Sequence, residues 1–452
     1  MRAALQTLGA VATLLLAAPA THAQDTFSAV ALEGAPAPGT ASTVDRVSLP
    51  ASITDAGVAW AVDLDGTQSH VYDVIYVELG AGTQIVAELG DVAPGTGGQT
   101  FSDVTLPVLN DAGQVAFRAQ YTDGAGSWAY GLFRWEAGVV TALALPGDPF
   151  VDAPGYVFRE SLGMDMNAAG DVVFEVELDE ATGGGGGSGL ALHSGGALSL
   201  VFKSYETPAP VGGTFNTLYS PQINDAGDIV FIGGHAGPGV DGAGVYLHSG
   251  GVTAPLLRSG EELPGGGVPN DHLFSSQPLS LNEAGQVAVM LPIDGGPTSS
   301  AMFRLSSGGN ERLAWEGQPV AGAGSIRFLY PHPAIDDAGR LAFVGELVGG
   351  SAGYGLFRAD PGGATPVWLT GDPAPGVGPT GVFSVPEQRS VSAAGGGRVA
   401  FWTRVFQGTH PAGLFAATPV APAAVKVPAV PPWLLAGLAL LLAGSGGFRL
   451  AR

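Results

Sequence analysis

One phrase, written seven times, constrains this chain more than any other feature. Residues 110–117 read NDAGQVAF, 167–174 NAAGDVVF, 224–231 NDAGDIVF, 282–289 NEAGQVAV and 336–343 DDAGRLAF. Looser copies stand at 54–61 (TDAGVAWA) and 394–401 (AGGGRVAF). Their glycines fall at positions 57, 113, 170, 227, 285, 339 and 397, so the spacing stays between 54 and 58 residues. A period of this length marks a repeat architecture in which each unit buries its apolar face only against its neighbours.

The stretch 101–145 shows one full unit. FSDVTLPVL (101–109) reads as a strand, and Asn110 to Gly113 as a tight turn, where Asn and Gly accept positive φ. QVAFRAQY (114–121) alternates apolar and polar as a half-buried strand does. SWAYGLFRWE (127–136) and VVTALAL (139–145) are a third and a fourth strand, joined by Ala137-Gly138. The corner at the other six copies is bounded by Thr54 and Gly57, Asn167 and Gly170, Asn224 and Gly227, Asn282 and Gly285, Asp336 and Gly339, and Ala394 and Gly397. No segment of the body carries a helical period. With 72 glycines, 34 prolines and 46% hydrophobic residues, the chain is too apolar for disorder and too glycine-rich for helices.

Seven four-stranded units can close into a β-propeller or stack as an open solenoid. The ends decide. The last unit runs into a proline-rich stretch after three strands, while FSAVALE (27–33) is an orphan fourth strand with its own Gly/Pro loop. One N-terminal strand completing the last blade removes two exposed sheet edges. The expected fold is all-β, a seven-bladed propeller of four-stranded antiparallel blades over residues 24–418.

The two ends read as addresses. Residues 1–23 have a basic start, an apolar run from Ala10 to Ala18 and small residues before a cut after Ala23, the layout of a secretory signal peptide. Residues 419–432 form a Pro/Ala-rich linker, expected to be extended. Residues 433–452 carry Trp433, an apolar stretch and two terminal arginines, a sorting or membrane-anchor segment. This tail resembles the PEP-CTERM class of bacterial sorting signals, although Pro-Ala-Val-Pro-Pro replaces the expected Pro-Glu-Pro and the basic end is sparse. The repeat phrase resembles the NxxGxxxAF tandem repeat of exported bacterial proteins: Asn110, Gly113, Ala116 and Phe117 fill every named position. That resemblance covers roughly residues 27–417 and implies surface display; it supplies no catalytic residue. Export and sorting machinery at the membrane, then an envelope, surface or extracellular location, are the corresponding expectations.

Candidate chemistry is sparse. Net charge is −22 with only 18 Lys plus Arg, which argues against nucleic acid. There is no cysteine, so disulfides and thiol chemistry are excluded. The repeated Asn or Asp of the corners is what such turns need to bend, and the repeated Phe117, Phe174, Phe231, Phe343 and Phe401 read as core between blades. Acidic residues recur just before each new blade: Asp91, Asp148, Glu206, Glu261 and Asp372, with Ala35 and Gln318 in the other two copies. Asp91, Asp148, Glu261 and Asp372 are weak ligand candidates; solvated loop charge explains them plainly, and Ca²⁺ is the cation they would take. No metal site or other cofactor is expected. Asp165, Glu175 and Glu177 are non-repeated carboxylates, where hydrolytic chemistry would be sought first, with Glu175 and Glu177 read as a solvated face. The histidines show no ligand spacing. Two readings stay open: an exported, envelope-associated, non-catalytic binding, adhesion or surface-structural protein, expected to be a monomer and to meet an extracellular glycan or protein; or a polysaccharide-acting hydrolase or lyase on the same scaffold.

Overall fold

The computed structural model describes residues 25–47, 51–65, 72–80, 82–122, 126–238, 241–270, 278–386 and 391–420. The expected signal peptide, the expected sorting or anchor segment and all but the first two residues of the expected linker lie outside them.

The second blade shows how the repeat folds. Its strands are Phe101–Leu109, Val115–Thr122, Trp128–Glu136 and Val139–Ala144, within two residues of the sequence reading at every boundary. They pair antiparallel in chain order. Six more blades repeat this meander, so the chain is a seven-bladed β-propeller with no helix among the described residues. Blades three and four keep one long inner strand, Tyr156–Met166 and Thr214–Ile223. In blades one, five, six and seven the inner strand is broken, and short pieces such as Ser52–Ile53, Ser280–Leu281, Ala334–Ile335 and Ser392–Ala393 line the axis.

Closure is visible in two ways. Each inner strand touches the next around the axis, and Ser392–Ala393 returns to Ser52–Ile53. The last blade is completed from the N-terminus: Thr26–Leu32 pairs antiparallel with Ala412–Thr418, from Thr26 opposite Thr418 to Leu32 opposite Gly413. Asp25, directly before this strand, forms a salt bridge with Arg358 of blade six at 2.5 Å. Phe27 meets the rings of Phe383 and Phe401 edge-on at 5.5 and 6.3 Å. A strand that pairs on one side and packs aromatic side chains below is held by both backbone and core.

The apolar core falls into seven clusters, each spanning two neighbouring blades, including blades seven and one. Phe117, Phe174, Phe231, Phe343 and Phe401 are all fully buried in them. Where the phrase ends in Val289, that residue fills the same place. Within a blade the second-strand aromatic stacks on a third-strand partner: Phe117 on Phe133, Phe231 on Tyr246, Phe343 on Phe357 and Phe401 on Phe415, at 5.5–5.9 Å. Because a twisted four-stranded sheet cannot bury both faces alone, each blade owes its stability to its neighbours.

Removing residues 25–32 therefore should leave Ala412–Thr418 as an open edge above an uncovered aromatic cluster. The expected result is a melting temperature lower by about 10 °C or more, and association visible by light scattering. An unchanged melting curve would refute the closing role of this strand.

Candidate functional site

The corners of the repeat phrase gather at one end of the central channel. At six of the seven a glycine holds a left-handed φ, for example 78° at Gly113, 81° at Gly170, 79° at Gly227, 71° at Gly285 and 75° at Gly339, whereas the corner of blade one is a residue shorter, with the Thr54 N–H bonded to the Gly57 carbonyl. The asparagine does more than bend the chain. Asn110 is buried; its Oδ1 accepts the Gln114 N–H at 2.9 Å, and its Nδ2 donates to the Asn167 carbonyl of the next blade at 2.9 Å. Asn167 repeats this bond to the Asn224 carbonyl at 3.4 Å, and Asn282 to the Asp336 carbonyl at 2.8 Å. In blade six Asp336 lacks that amide, and the residue four places on is Arg340, whose Nε donates to Asp336 Oδ2 at 2.7 Å. In blade seven Ala394 takes the first corner position, with the turn running to Gly397, and Arg398 supplies the bond to the Thr54 carbonyl at 3.2 Å.

The second corner position carries acids, and these also reach across blades. Asp111 Oδ1 accepts the Asp55 N–H at 3.0 Å, Asp225 Oδ1 the Ala168 N–H at 2.7 Å and Glu283 Oε2 the Asp225 N–H at 2.8 Å. Asp337 Oδ1 accepts the Glu283 N–H at 3.1 Å, and Asp55 Oδ1 the Gly396 N–H at 3.1 Å. Five carboxylates thus ring this end of the channel, and Asp111, Asp225, Glu283 and Asp337 among them line a cavity of about 330 Å³ to which all seven blades contribute. Burial, and then the like charges of Asp225, Asp337 and Asp111, raise the Glu283 carboxyl above its usual range. Sequence reading passed over this ring, although its signal stood in the acid that follows the first corner residue in five copies.

Asp165 lies deeper in the same channel, on the inner strand of blade three. It keeps some accessible surface on the lumen, yet protein walls it in, and desolvation pushes its carboxyl up to about 6. Its Oδ2 accepts the Ile223 N–H of blade four at 2.9 Å. Ser52 and Ser280 make the same bond elsewhere, to the Leu109 N–H at 3.0 Å and the Ile335 N–H at 3.1 Å. Asp165 is therefore a charged member of a set of inter-blade staples. Glu175 is not on a solvated face: its Oε1 accepts the Ser220 N–H of blade four at 2.8 Å, and Ser220 is itself kinked at a φ of 51°. Burial raises its carboxyl. Glu177 instead pairs with Arg159 at the surface.

The candidates before each new blade are not brought together. Asp91, Asp148 and Asp372 each accept a backbone N–H three residues earlier, from Glu88, Leu145 and Leu369, at 3.1, 2.8 and 2.8 Å. Glu261 does the same for Arg258 at 3.1 Å and also binds its guanidinium. None of the four lines the channel cavity. Among the described residues, no group of three or more His, Asp or Glu side chains is placed to hold a metal ion.

A second recess, of about 640 Å³, opens at the seam between blades seven and one, lined by Glu33, Arg46, Tyr72, Trp402 and Arg404 among others. Trp402 Nε1 donates to Glu33 Oε1 at 3.3 Å, and Arg46 pairs with Asp63 at 3.1 Å with its guanidinium 5.5 Å from the Tyr72 ring. Residues far apart in the chain build this recess, so no local signal marked it.

Two variants test the staples. Replacing Asp336 by Asn, or Arg340 by Gln, should each destabilise the fold by about 1–3 kcal/mol, because each leaves a partner unpaired. The double variant reproduces the Asn282–Gln286 pair of blade five and should recover most of the loss, which a double-mutant cycle measures. For Asp165 the folded pKa lies above the unfolded value of about 3.8, so the carboxylate's cost is fully present above pH 6 and fades as pH falls toward 4. Asp165→Asn should raise stability at pH 7–8 by on the order of 2 kcal/mol, with the two melting curves converging below pH 4.

Comparison with known proteins adds a family and little else. No curated protein matches the chain in sequence. Among solved structures, a puromycin-hydrolyzing peptidase of Mycobacterium tuberculosis is 13% identical, with a TM-score of 0.43 over 89% of this chain and 57% of that one. Trypanosoma rangeli sialidase in complex with sialic acid is 11% identical, with a TM-score of 0.36 over 94% and 60%. A gluconolactonase from Xanthomonas campestris is 12% identical, with a TM-score of 0.33 over 85% and 99%. The chain spans well under two thirds of the first two proteins, and likeness at this level carries no argument about activity. One family model matches residues 20–301 and again 166–418. The chain belongs to that family, a family of unknown function designated DUF7453.

Proposed function

We propose that this chain is an exported propeller that binds a partner at the cell envelope and does not cleave it. The observation that supports this reading is the use of the channel's polar groups. Asp165 and the five carboxylates of the mouth each accept a backbone N–H from a neighbouring blade, so the groups best placed for catalysis are engaged in holding the ring together. A scaffold of this kind displays its loops on a rigid body, the arrangement suited to recognition. Export rests on the signal peptide at 1–23, and retention on the linker at 419–432 and the terminal segment at 433–452, through which the membrane sorting machinery would act. The ligand would be an extracellular glycan or protein.

One observation favours the hydrolase or lyase reading. Asp165 and Glu283 face the same cavity with raised carboxyl pKa values, and Glu283 contributes to raising Asp165. A carboxyl that holds its proton near pH 6 is what a general acid requires. The secreted form, residues 24–420, should bind members of a glycan and surface-protein array and leave soluble polysaccharides at full chain length, as followed by reducing-end release. Cleavage that disappears in Asp165→Asn would overturn the binding reading.

A further inference from the structure

The corner that leads from one blade into the next is built alike six times and differently once. Its first residue must take a left-handed φ, and Gly34, Gly90, Gly147, Gly260, Gly317 and Gly371 do so at 76–102°. Between blades three and four the residue is Tyr205, at a φ of 65°. The backbone role is unchanged: the Tyr205 N–H donates to the Phe215 carbonyl at 2.6 Å, as Gly90, Gly147 and Gly371 donate to those of Phe101, Phe158 and Phe383. Left-handed φ is free for glycine and costs a residue with a Cβ, most for a bulky one.

Packing does not hold the ring there. Tyr205 is 73% exposed, and among the described residues its ring makes no aromatic or cation–π contact. At five of the six glycine corners an added Cβ would meet nothing within 4 Å, so the side chain at this position projects into solvent. Strain without packing gain is the signature of a residue kept for contact with something outside the fold.

The same corner departs a second time from five of the six glycine corners, the one at Gly34 carrying Ala35 in the next position. In the next position Asp91, Asp148, Glu261, Asp372 and Gln318 each accept the backbone N–H three residues earlier. Glu206 occupies that position but does not cap; Thr207 Oγ1 takes the Lys203 N–H at 2.8 Å. The Glu206 carboxylate is thereby released to a surface network. It receives the Lys203 ammonium at 2.6 Å and the Tyr156 hydroxyl at 3.0 Å, while the ammonium lies 4.6 Å over the Tyr156 ring. These bonds, those from Lys203 and then Tyr156, lower the Glu206 carboxyl and keep it ionised.

We propose that Tyr205, with the Lys203–Glu206 pair beside it, forms a surface subsite for a neutral saccharide whose ring stacks on the tyrosine. This assignment rests on the binding reading above and gives it a ligand class. An aromatic face carries a negative quadrupole that attracts the C–H bonds of one sugar face, and the neighbouring carboxylate and ammonium accept from and donate to ring hydroxyls. A protein partner would instead need an apolar surround that excludes water, and the residues flanking Tyr205 in the chain, Ser204, Glu206 and Thr207, are polar. A net charge of −22 disfavours acidic polysaccharides.

The test uses the secreted chain and three neutral probes: cellohexaose, chitohexaose and mannohexaose, titrated by calorimetry. Tyr205→Gly installs the residue the other six corners carry, so the melting temperature should hold or rise while affinity for the bound hexasaccharide falls at least tenfold. Tyr205→Trp should retain binding, and Glu206→Gln should weaken it several-fold. Binding equal in the wild type and Tyr205→Gly overturns the subsite and leaves the binding role standing. Wild-type protein that binds none of the three probes also overturns it, as does a fall of several degrees in melting temperature for Tyr205→Gly, which would show that the ring serves the fold. Hexasaccharides recovered shortened from the wild-type titration would instead refute the non-cleaving role.

Discussion

At the ends of the inner strands, tight corners leave backbone groups that a blade's own sheet does not satisfy, and hydrogen bonds between neighbouring corners answer that need. Asn110 spends one side of its amide on its own turn and the other on the carbonyl one blade away. Asn167 and Asn282 do likewise, and Arg398 closes the step from blade seven to blade one. A buried amide that lacked either partner would be costly, so the corner geometry and the blade spacing specify each other. The steadiness of the repeat length follows from this contact. A unit too long or too short would shift the corner away from the carbonyl it must meet.

The channel inherits its chemistry from the same constraint. Inner strands are narrow at the axis and kinked, which exposes N–H groups at Leu109, Ile223, Ile335 and Ser220 that only a neighbour's side chain reaches. Serine serves at two of these places and a carboxylate at two others. The carboxylates carry a desolvation cost that appears as raised pKa values at Asp165 and Glu175. A perturbed carboxyl in a cavity is a common mark of an active site. Here each one accepts a backbone N–H, and that bond explains its position without chemistry.

Much of this was legible in the residues. The alternation in QVAFRAQY, the aromatic at the end of each phrase and the surplus strand at 27–33 led to strands, inter-blade cores and closure, because period-two burial and unpaired edges leave local marks. Other features left none. Asn110 looked like a turn residue because the carbonyl it binds is 57 residues away. Glu175 looked solvated because the N–H that buries it belongs to the next blade. The seam recess joins Glu33 and Arg46 to Trp402 and Arg404, and nothing along the chain announces that meeting.

The sequence by itself determined the number of blades, the strand order within them and which end supplies the last strand, since these follow from periodicity and from counting edges. Only the tertiary structure decided what the polar residues do. A side chain's role depends on which backbone group faces it, and in a ring those groups come from the neighbouring blade. The same reasoning separates Tyr205 from the rest. The sequence sets Tyr205 where the other six corners carry glycine, and only the structure shows that the backbone there is left-handed and the ring exposed.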